Sequence, residues 1–317
     1  YPTLMRTCSL PMTCTATNWP ILAQGAKIVW ADIDPTSGNI DPQSIKNRIT
    51  KKTKAILVVD WGGYPCDVKT IKKIAGKIPI IEDAAHAFGT LYRKTMVGNT
   101  TDFTCFSFQA IKHLTTGDGG LLAVLNKKDY RKGKLLRWYG IDREKRSQHE
   151  RIEIDVHDWG YKFHMNDINA TIGLANIKHV RSILAKHRDN AAYYKSSLLG
   201  LKNVTLLKEH KDYLSSYWLF TIRVKHVHAF IQFMNGRNVM VSQVHRRNDS
   251  HPTTAQFAAS LPGVDEFTSE MVCIPVGWWI TKKLRTHITR CIRDYDHVAD
   301  TIPSKLYAKS AYCPYCG

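Results

Sequence analysis

Several common features are missing from this sequence. No stretch approaches the ~18 uninterrupted apolar residues that a membrane-spanning helix needs. The opening residues, Tyr1 to Cys8, carry neither a basic start nor a following apolar run, so they do not read as a secretory signal. These two absences point to a cytoplasmic protein with no membrane partner. No internal repeat and no low-complexity run is visible. Paired metal-binding cysteines are absent as well. Cys313 and Cys316 form a lone CxxC at the very end of the chain, which is half a zinc site at best and reads as a tail. His157 and Asp158 lack the spacing of metal ligands, and no metal is expected. The other cysteines, Cys8, Cys14, Cys66, Cys105, Cys273 and Cys291, are scattered and read as buried reduced thiols. Long Arg/Lys blocks and nucleic-acid motifs are also lacking.

What is present is size and positive charge. The 317 residues are enough for one large domain and a smaller one. Apolar residues make up 44% and charged residues 23%, as in ordinary globular proteins. The net charge of +18 favours an anionic partner. Its basic residues are dispersed, as in Lys69, Lys72, Lys73 and Lys77 on one expected helix. Most of this charge reads as solvated helix surface, and the remainder suits a nucleotide diphosphate.

Residues 1–125 alternate between strand-like and helix-like segments. Strands are expected at 27–33, 54–60, 78–82, 103–108 and 120–125, and helices at 42–49 (capped by Asp41) and 68–77. Near-continuous apolar strands separated by helices predict an α/β fold, a mostly parallel sheet with helices on both faces. The texture changes near residue 158. A long helical stretch is expected at 166–199 with a break near Lys178, then strands at 216–224 and 239–244, and helices at 228–236 and 281–295. This divides the chain into a large α/β domain (1–157), a helical connection (158–200), a smaller α+β C-terminal domain (201–300) and a tail (301–317).

The chemistry gathers at strand ends, where parallel sheets collect ligands. One strand runs into Asp83, and an acid at a buried strand end is costly without a partner. His86 follows three residues later. Another strand ends at Ser107 and leads to Lys112, then to the glycine-rich turn Thr115-Thr116-Gly117-Asp118-Gly119-Gly120. A pyridoxal phosphate site needs a lysine to form an imine, a carboxylate for the pyridine nitrogen, a polar group for the phenolic oxygen and donors for the phosphate. Lys112, Asp83, His86 and Ser107 supply that set. Taken singly, Asp83 reads as a capped strand-end acid and Lys112 as a surface lysine, while His86 as a core histidine and Ser107 as a local backbone partner are the lesser alternatives to their site roles. Trp159 and Tyr161 read as packing residues.

The stretch EDAAHAFGTLY followed by FSFQAIKHLTTGDGG resembles the DegT/DnrJ/EryC1/StrS family of sugar aminotransferases, which are fold-type I pyridoxal 5'-phosphate enzymes. The resemblance runs from about Leu10 to Tyr295 and includes GYKFHMNDINATIGLANI. It implies that Asp83 binds the pyridine nitrogen, His86 the ring and its phenolic oxygen, and Ser107 the phosphate. Lys112 would carry the cofactor and later move a proton between it and the sugar carbon. The lysine also argues against the sugar 3-dehydratases, which place a histidine there. By this resemblance, members begin about 50 to 60 residues upstream with a phosphate-cradling helix start, so the chain is expected to be N-terminally incomplete. Cys14 stands where the family often has an aromatic stacked on the cofactor. Lys162 replaces an asparagine that reaches the phosphate of the neighbouring subunit, and His164 replaces an arginine; lysine binds phosphate as a point charge. A homodimer with a shared active site is implied. His245 and Arg246 fall where the family meets the sugar nucleotide, although a solvated basic loop is an equal reading. The implied activity moves an amine from glutamate to a nucleotide-linked keto-deoxysugar, in polysaccharide or O-antigen sugar biosynthesis. Two alternatives remain at this point: a cofactor-binding homologue with impaired turnover, and a basic nucleic-acid-binding protein.

Overall fold

The computed structural model describes residues 5–144 and 156–301. The Cys313/Cys316 pair lies outside the described residues. The first half is built from β1 (Arg6–Ser9), α1 (Thr15–Ala23), β2 (Lys27–Trp30), α2 (Pro42–Arg48), β3 (Thr53–Val59), α3 (Val68–Ala75) and β4 (Ile80–Asp83). A short hairpin, β5 (Leu91–Tyr92) and β6 (Thr95–Met96), then precedes β7 (Phe103–Ser107), β8 (Gly120–Val124) and α4 (Lys127–Leu136). Six of these strands form one sheet in the order β2-β1-β3-β4-β7-β8. All neighbours are parallel except β7 and β8, which form an antiparallel pair.

The parallel arrangement puts the ends of β1, β3, β4 and β7 along one edge, and those ends carry the polar residues of interest. The helices follow their patterns. α2 starts at Asp41, whose carboxylate accepts from the Gln43 and Ser44 N–H groups. α3 buries Val68, Ile71 and Ala75 at helical spacing and leaves its lysines outside. Truncating Ile71, which is fully buried, to alanine removes ~2–5 kcal/mol of packing.

The chain continues through α5 (Asp167–Ile177), α6 (Val180–Leu198), β9 (Val204–Leu206), β10 (Tyr213–Leu214) and β11 (Phe220–Val224). It ends with α7 (Val227–Asn235), α8 (Pro262–Glu270), β12 (Met271–Ile274) and α9 (Lys282–Val298). β12, β11 and β9 make a small antiparallel sheet. A second apolar core forms around it from Tyr194, Phe230, Ile292 and Tyr295. Phe230 meets the Tyr295 ring edge-on at 4.9 Å. The first core holds Trp30, Ile56, Trp61 and Ile71, and Val264 and Phe267 of α8 also pack into it.

The expected break in the long helix occurs at Lys178, which closes α5. Two expected strands differ. Residues 239–244 make only an isolated bridge, Ser242 to Cys273. The strand at 216–224 begins at Phe220, because Tyr217 is left-handed (φ 49°) and its neighbours bond elsewhere. Two cysteines expected to be buried, Cys14 and Cys105, are exposed, while all six described cysteines are free. Trp159, read as a packing residue, is 66% exposed and packs edge-on against Tyr161. Among the described residues no helix is long and apolar enough to cross a membrane.

Candidate active site

Asp83 is the last residue of β4. Its Oδ2 accepts from the Thr17 hydroxyl at 2.6 Å and its Oδ1 from the Ala85 N–H at 3.0 Å. Thr17 is buried in α1 and shares a 2.7 Å hydrogen bond with the Thr13 hydroxyl. α1 is held to the end of β1 by the Ser9 hydroxyl, which donates to Asn18 Oδ1, and by Asn18 Nδ2, which donates to the Leu10 carbonyl. The helix therefore delivers Thr17 to the strand-end acid. Burial pushes the Asp83 carboxyl above its ordinary range, and the two donors and the nearby Lys112 charge pull it back.

Lys112 sits in a turn fixed from both ends. Its N–H donates to the Gln109 carbonyl, the Phe108 N–H to the Gly119 carbonyl, and the Thr116 N–H to the Phe108 carbonyl. α5 clamps the far side: Asn169 Nδ2 donates to the Thr116 and Asp118 carbonyls, and Asn176 Nδ2 to that of Thr115. Gly173 lets α5 come this close, since a Cβ there would lie 2.8 Å from Thr116 Cγ2. Burial lowers the Lys112 amine to about 8, against the opposing pull of Asp83 and Cys14.

A group of rings surrounds the amine. Trp218 is stacked on His86 at 3.9 Å, and His245 lies parallel to His86 at 5.9 Å. His86 Nδ1 and His245 Nε2 are buried without a partner. Burial, then the Lys112 charge, drives His86 well below the usual imidazole value and His245 to about 4. Beside Lys112, His113 packs on His187 at 4.5 Å, and burial lowers His113 to about 3. All three imidazoles lowered this far are neutral at pH 7.

The remaining expected residues are placed as follows. Ser107 ends β7, half-buried, and its hydroxyl accepts from the Gln109 N–H at 3.3 Å. Cys14 opens α1, and its carbonyl accepts from Asn248 Nδ2. Arg246 is exposed and its guanidinium is tied to Ser250. Lys162 is exposed on a segment bridged to Trp138, and His164 packs edge-on against that tryptophan. The contacts that join Lys112, Asp83, His86 and His245 do not extend to Lys162.

Sequence reasoning passed over Thr17, Trp218 and a buried acidic pair. Asp60, directly after β3, accepts from the Cys66 N–H through Oδ1. Glu82 accepts from the Thr101 and Thr104 hydroxyls through Oε2. The two carboxyls interact, and burial raises both above the ordinary range. Their leftover oxygens, Asp60 Oδ2 and Glu82 Oε1, are buried with no other donor, so a proton held between them satisfies both. The one visible signal was a Thr pair four apart, Thr13 and Thr17, at a helix start. Among the described residues no His/Cys/Asp/Glu group could hold a metal ion.

Comparison with known proteins gives a consistent result. The model of the DegT/DnrJ/EryC1/StrS aminotransferase family matches residues 9–293. The crystal structure of AtS13 from Actinomadura melliaura is 40% identical with a TM-score of 0.89, covering 93% of this chain and 80% of that one. The sugar aminotransferase CalS13 from Micromonospora echinospora is 35% identical with a TM-score of 0.88, covering 92% of this chain and 81% of that one. The spore coat polysaccharide biosynthesis protein SpsC of Bacillus subtilis is 32% identical over 219 residues, 68% of this chain and 56% of SpsC. The chain spans about half the length of the curated relatives it matches.

Proposed function

The chain belongs to the DegT/DnrJ/EryC1/StrS aminotransferase family, and from that premise we propose that it transfers an amino group from an amino acid, glutamate, to the keto carbon of a nucleotide-linked deoxysugar. The observation that carries this reading is the approach of a strand-end acid and a half-buried lysine, Asp83 and Lys112, close enough for their charges to interact.

Enzymes of this family depend on pyridoxal 5'-phosphate. The residues present fit that group. Asp83 is held by two donors with lone pairs to spare, and His86 Nδ1 and His245 Nε2 are buried and unpartnered. When bound, the cofactor supplies an electron sink for the carbon that gains or loses a proton. Asp83 would face the ring nitrogen, His86 the ring and its phenolic oxygen, and Ser107 the phosphate. Cys14 would pack at the edge of the site.

Lys112 would hold the cofactor and, with its amine free, would carry the proton. An ordinary lysine holds its proton too tightly at neutral pH. Burial brings this amine to about 8, so at pH 7–8 it both accepts and releases a proton readily. The neutral imidazoles around it add no competing charge. His245 and Arg246 would meet the sugar nucleotide.

A second copy of the chain completes the site in this reading. Support comes from α5, which buries none of its residues and exposes Ile168 (75%) and Leu174 (74%) beside Phe163 (74%). The exposed Lys162 would then reach the phosphate held by the partner. The product class belongs to polysaccharide sugar synthesis.

The test is direct. Full chain with pyridoxal phosphate, glutamate and a panel of keto-sugar nucleotides should release 2-oxoglutarate and an aminosugar nucleotide. Lys112→Ala should abolish both the product and the long-wavelength absorbance of the bound cofactor. No product across the panel refutes the assignment.

A further inference from the structure

Trp218 plays no part in the roles given so far, yet three contacts converge on it. Its ring stacks on His86 with centroids 3.9 Å apart and planes 19° apart. Its Nε1–H donates to the Ile111 carbonyl at 3.0 Å, one residue before Lys112. The Lys112 Nζ lies 3.6 Å from the centroid of the same ring. One side chain thus touches a site histidine, the turn that bears the lysine, and the amine itself.

The backbone that presents this ring is fixed. The Ser216 hydroxyl donates to the His86 carbonyl at 2.6 Å, and the Ser216 N–H reaches Thr90 Oγ1 at 3.1 Å. Arg188 Nε donates to the Ser215 carbonyl, and His187 Nδ1 meets the Tyr217 carbonyl at 2.8 Å. Beyond the ring, the Leu219 N–H donates to the Gly62 carbonyl. Tyr217, at φ 49°, makes the bend that turns the indole toward Lys112.

We infer that Trp218 is a positioning residue for the Lys112 amine, its π face holding the charged form in place while its N–H fixes the turn that carries the lysine. An aromatic face attracts ammonium and has no such attraction for the neutral amine. Burial acts in the opposite sense, favouring the neutral amine. The indole therefore moderates the effect of burial and keeps the amine able to hold a proton near neutral pH. Its value to catalysis rests on the aminotransferase reading above, whereas the contact itself does not.

The experiment needs no cofactor and no substrate, so its failure is separable from a failure of that reading. The full chain without cofactor is labelled with acetic anhydride across pH 6–11, and acylation of Lys112 is read by peptide mass spectrometry to give its titration midpoint. Trp218→Leu removes the face. Trp218→Phe keeps a weaker one and loses the N–H. The midpoint is expected to fall by about one pH unit in Trp218→Leu, a tenfold loss of proton affinity, and by roughly half as much in Trp218→Phe. Loosened packing alone would expose the amine and move the midpoint up, toward that of a free lysine. A midpoint unchanged or raised in folded Trp218→Leu overturns the inference. If that variant does not fold, a Trp218→Phe midpoint at or above the native one overturns it equally.

Discussion

The Thr17 hydroxyl decides how readily Asp83 stays ionised, and Thr17→Val tests this with little change of shape. The substitution deletes the 2.6 Å donor to Asp83 Oδ2 and leaves the Ala85 N–H as the remaining hydrogen bond. A hydrogen bond to a charged group contributes about 1.5–3 kcal/mol. With that donor gone, burial is less opposed and the Asp83 carboxyl rises further above its ordinary range. Burial already holds that carboxyl above its ordinary range, so the shift moves it further toward the neutral acid. A neutral acid cannot pair with a protonated ring nitrogen. Affinity for pyridoxal phosphate should therefore weaken by up to about 10- to 100-fold, most strongly at the lowest pH tested. The ratio to the native protein should narrow as pH rises, because the carboxylate re-forms. Spectrophotometric titration with pyridoxal phosphate at several pH values between 6 and 8.5 measures this. Thr17→Ser retains the hydroxyl and should bind within about threefold of native. Equal affinity in Thr17→Val and native at every pH, or a serine variant as weak as the valine one, would refute the reasoning.

Three further outcomes follow from groups around the site. His113 is lowered to about 3 in the fold, so the unfolded chain, with an ordinary imidazole, takes up its proton first as pH falls. Native protein should lose about 1 kcal/mol relative to His113→Asn between pH 7 and 5.5, read from urea midpoints; a difference independent of pH would contradict this. The Asp60–Glu82 pair works in the other direction. Carboxyls raised in the fold stabilise it at low pH and lose that contribution as pH rises. Asp60→Asn supplies a permanent donor and should be more stable than native at pH 8 by about 1–2 kcal/mol, the advantage vanishing near pH 4. A variant weaker than native at pH 8 would sink the shared-proton account. Finally, Gly63 adopts φ 95°, and a Cβ there would lie 2.7 Å from the His86 carbonyl oxygen and collide with the Ser216 hydroxyl. Gly63→Ala should cost at least about 3 kcal/mol in chemical denaturation, and a loss under 1 kcal/mol would show that the contact relaxes.

The legible parts of the molecule were those set by local pattern. The spacing of Ile71, Ile74 and Ala75 announced α3, and Asp41 announced the start of α2. The strand-end placement of Asp83 and Lys112 could be read because each follows a short apolar strand. What escaped notice depends on distant partners. Thr17 meets Asp83 across 66 positions, and Trp218 meets Ile111 across 107. The run at 216–219 looks like a strand because Tyr and Trp favour one. Its Ser216 hydroxyl instead serves His86 and its backbone N–H groups serve Thr90 and Gly62, and tertiary bonding overrode propensity. Residues 239–244 failed as a strand for want of a continuous partner beyond Cys273. Trp159 shows that an aromatic in sequence does not imply an aromatic in the core.

The seam between the large sheet and the C-terminal half has a thermodynamic consequence. Ser216, Leu219 and Arg188 are stitched to Gly62, Gly63, His86, Gly89 and Thr90 by hydrogen bonds, and those of Ser216 to His86 and Thr90 lie out of water. Opening the seam would strand those groups, each at a cost of about 1–3 kcal/mol. Separate lobes that melt at different temperatures would have to pay that cost while one of them was still folded. The two cores should therefore melt as one cooperative unit, and the lysine loop should lose its shape only when the whole molecule does.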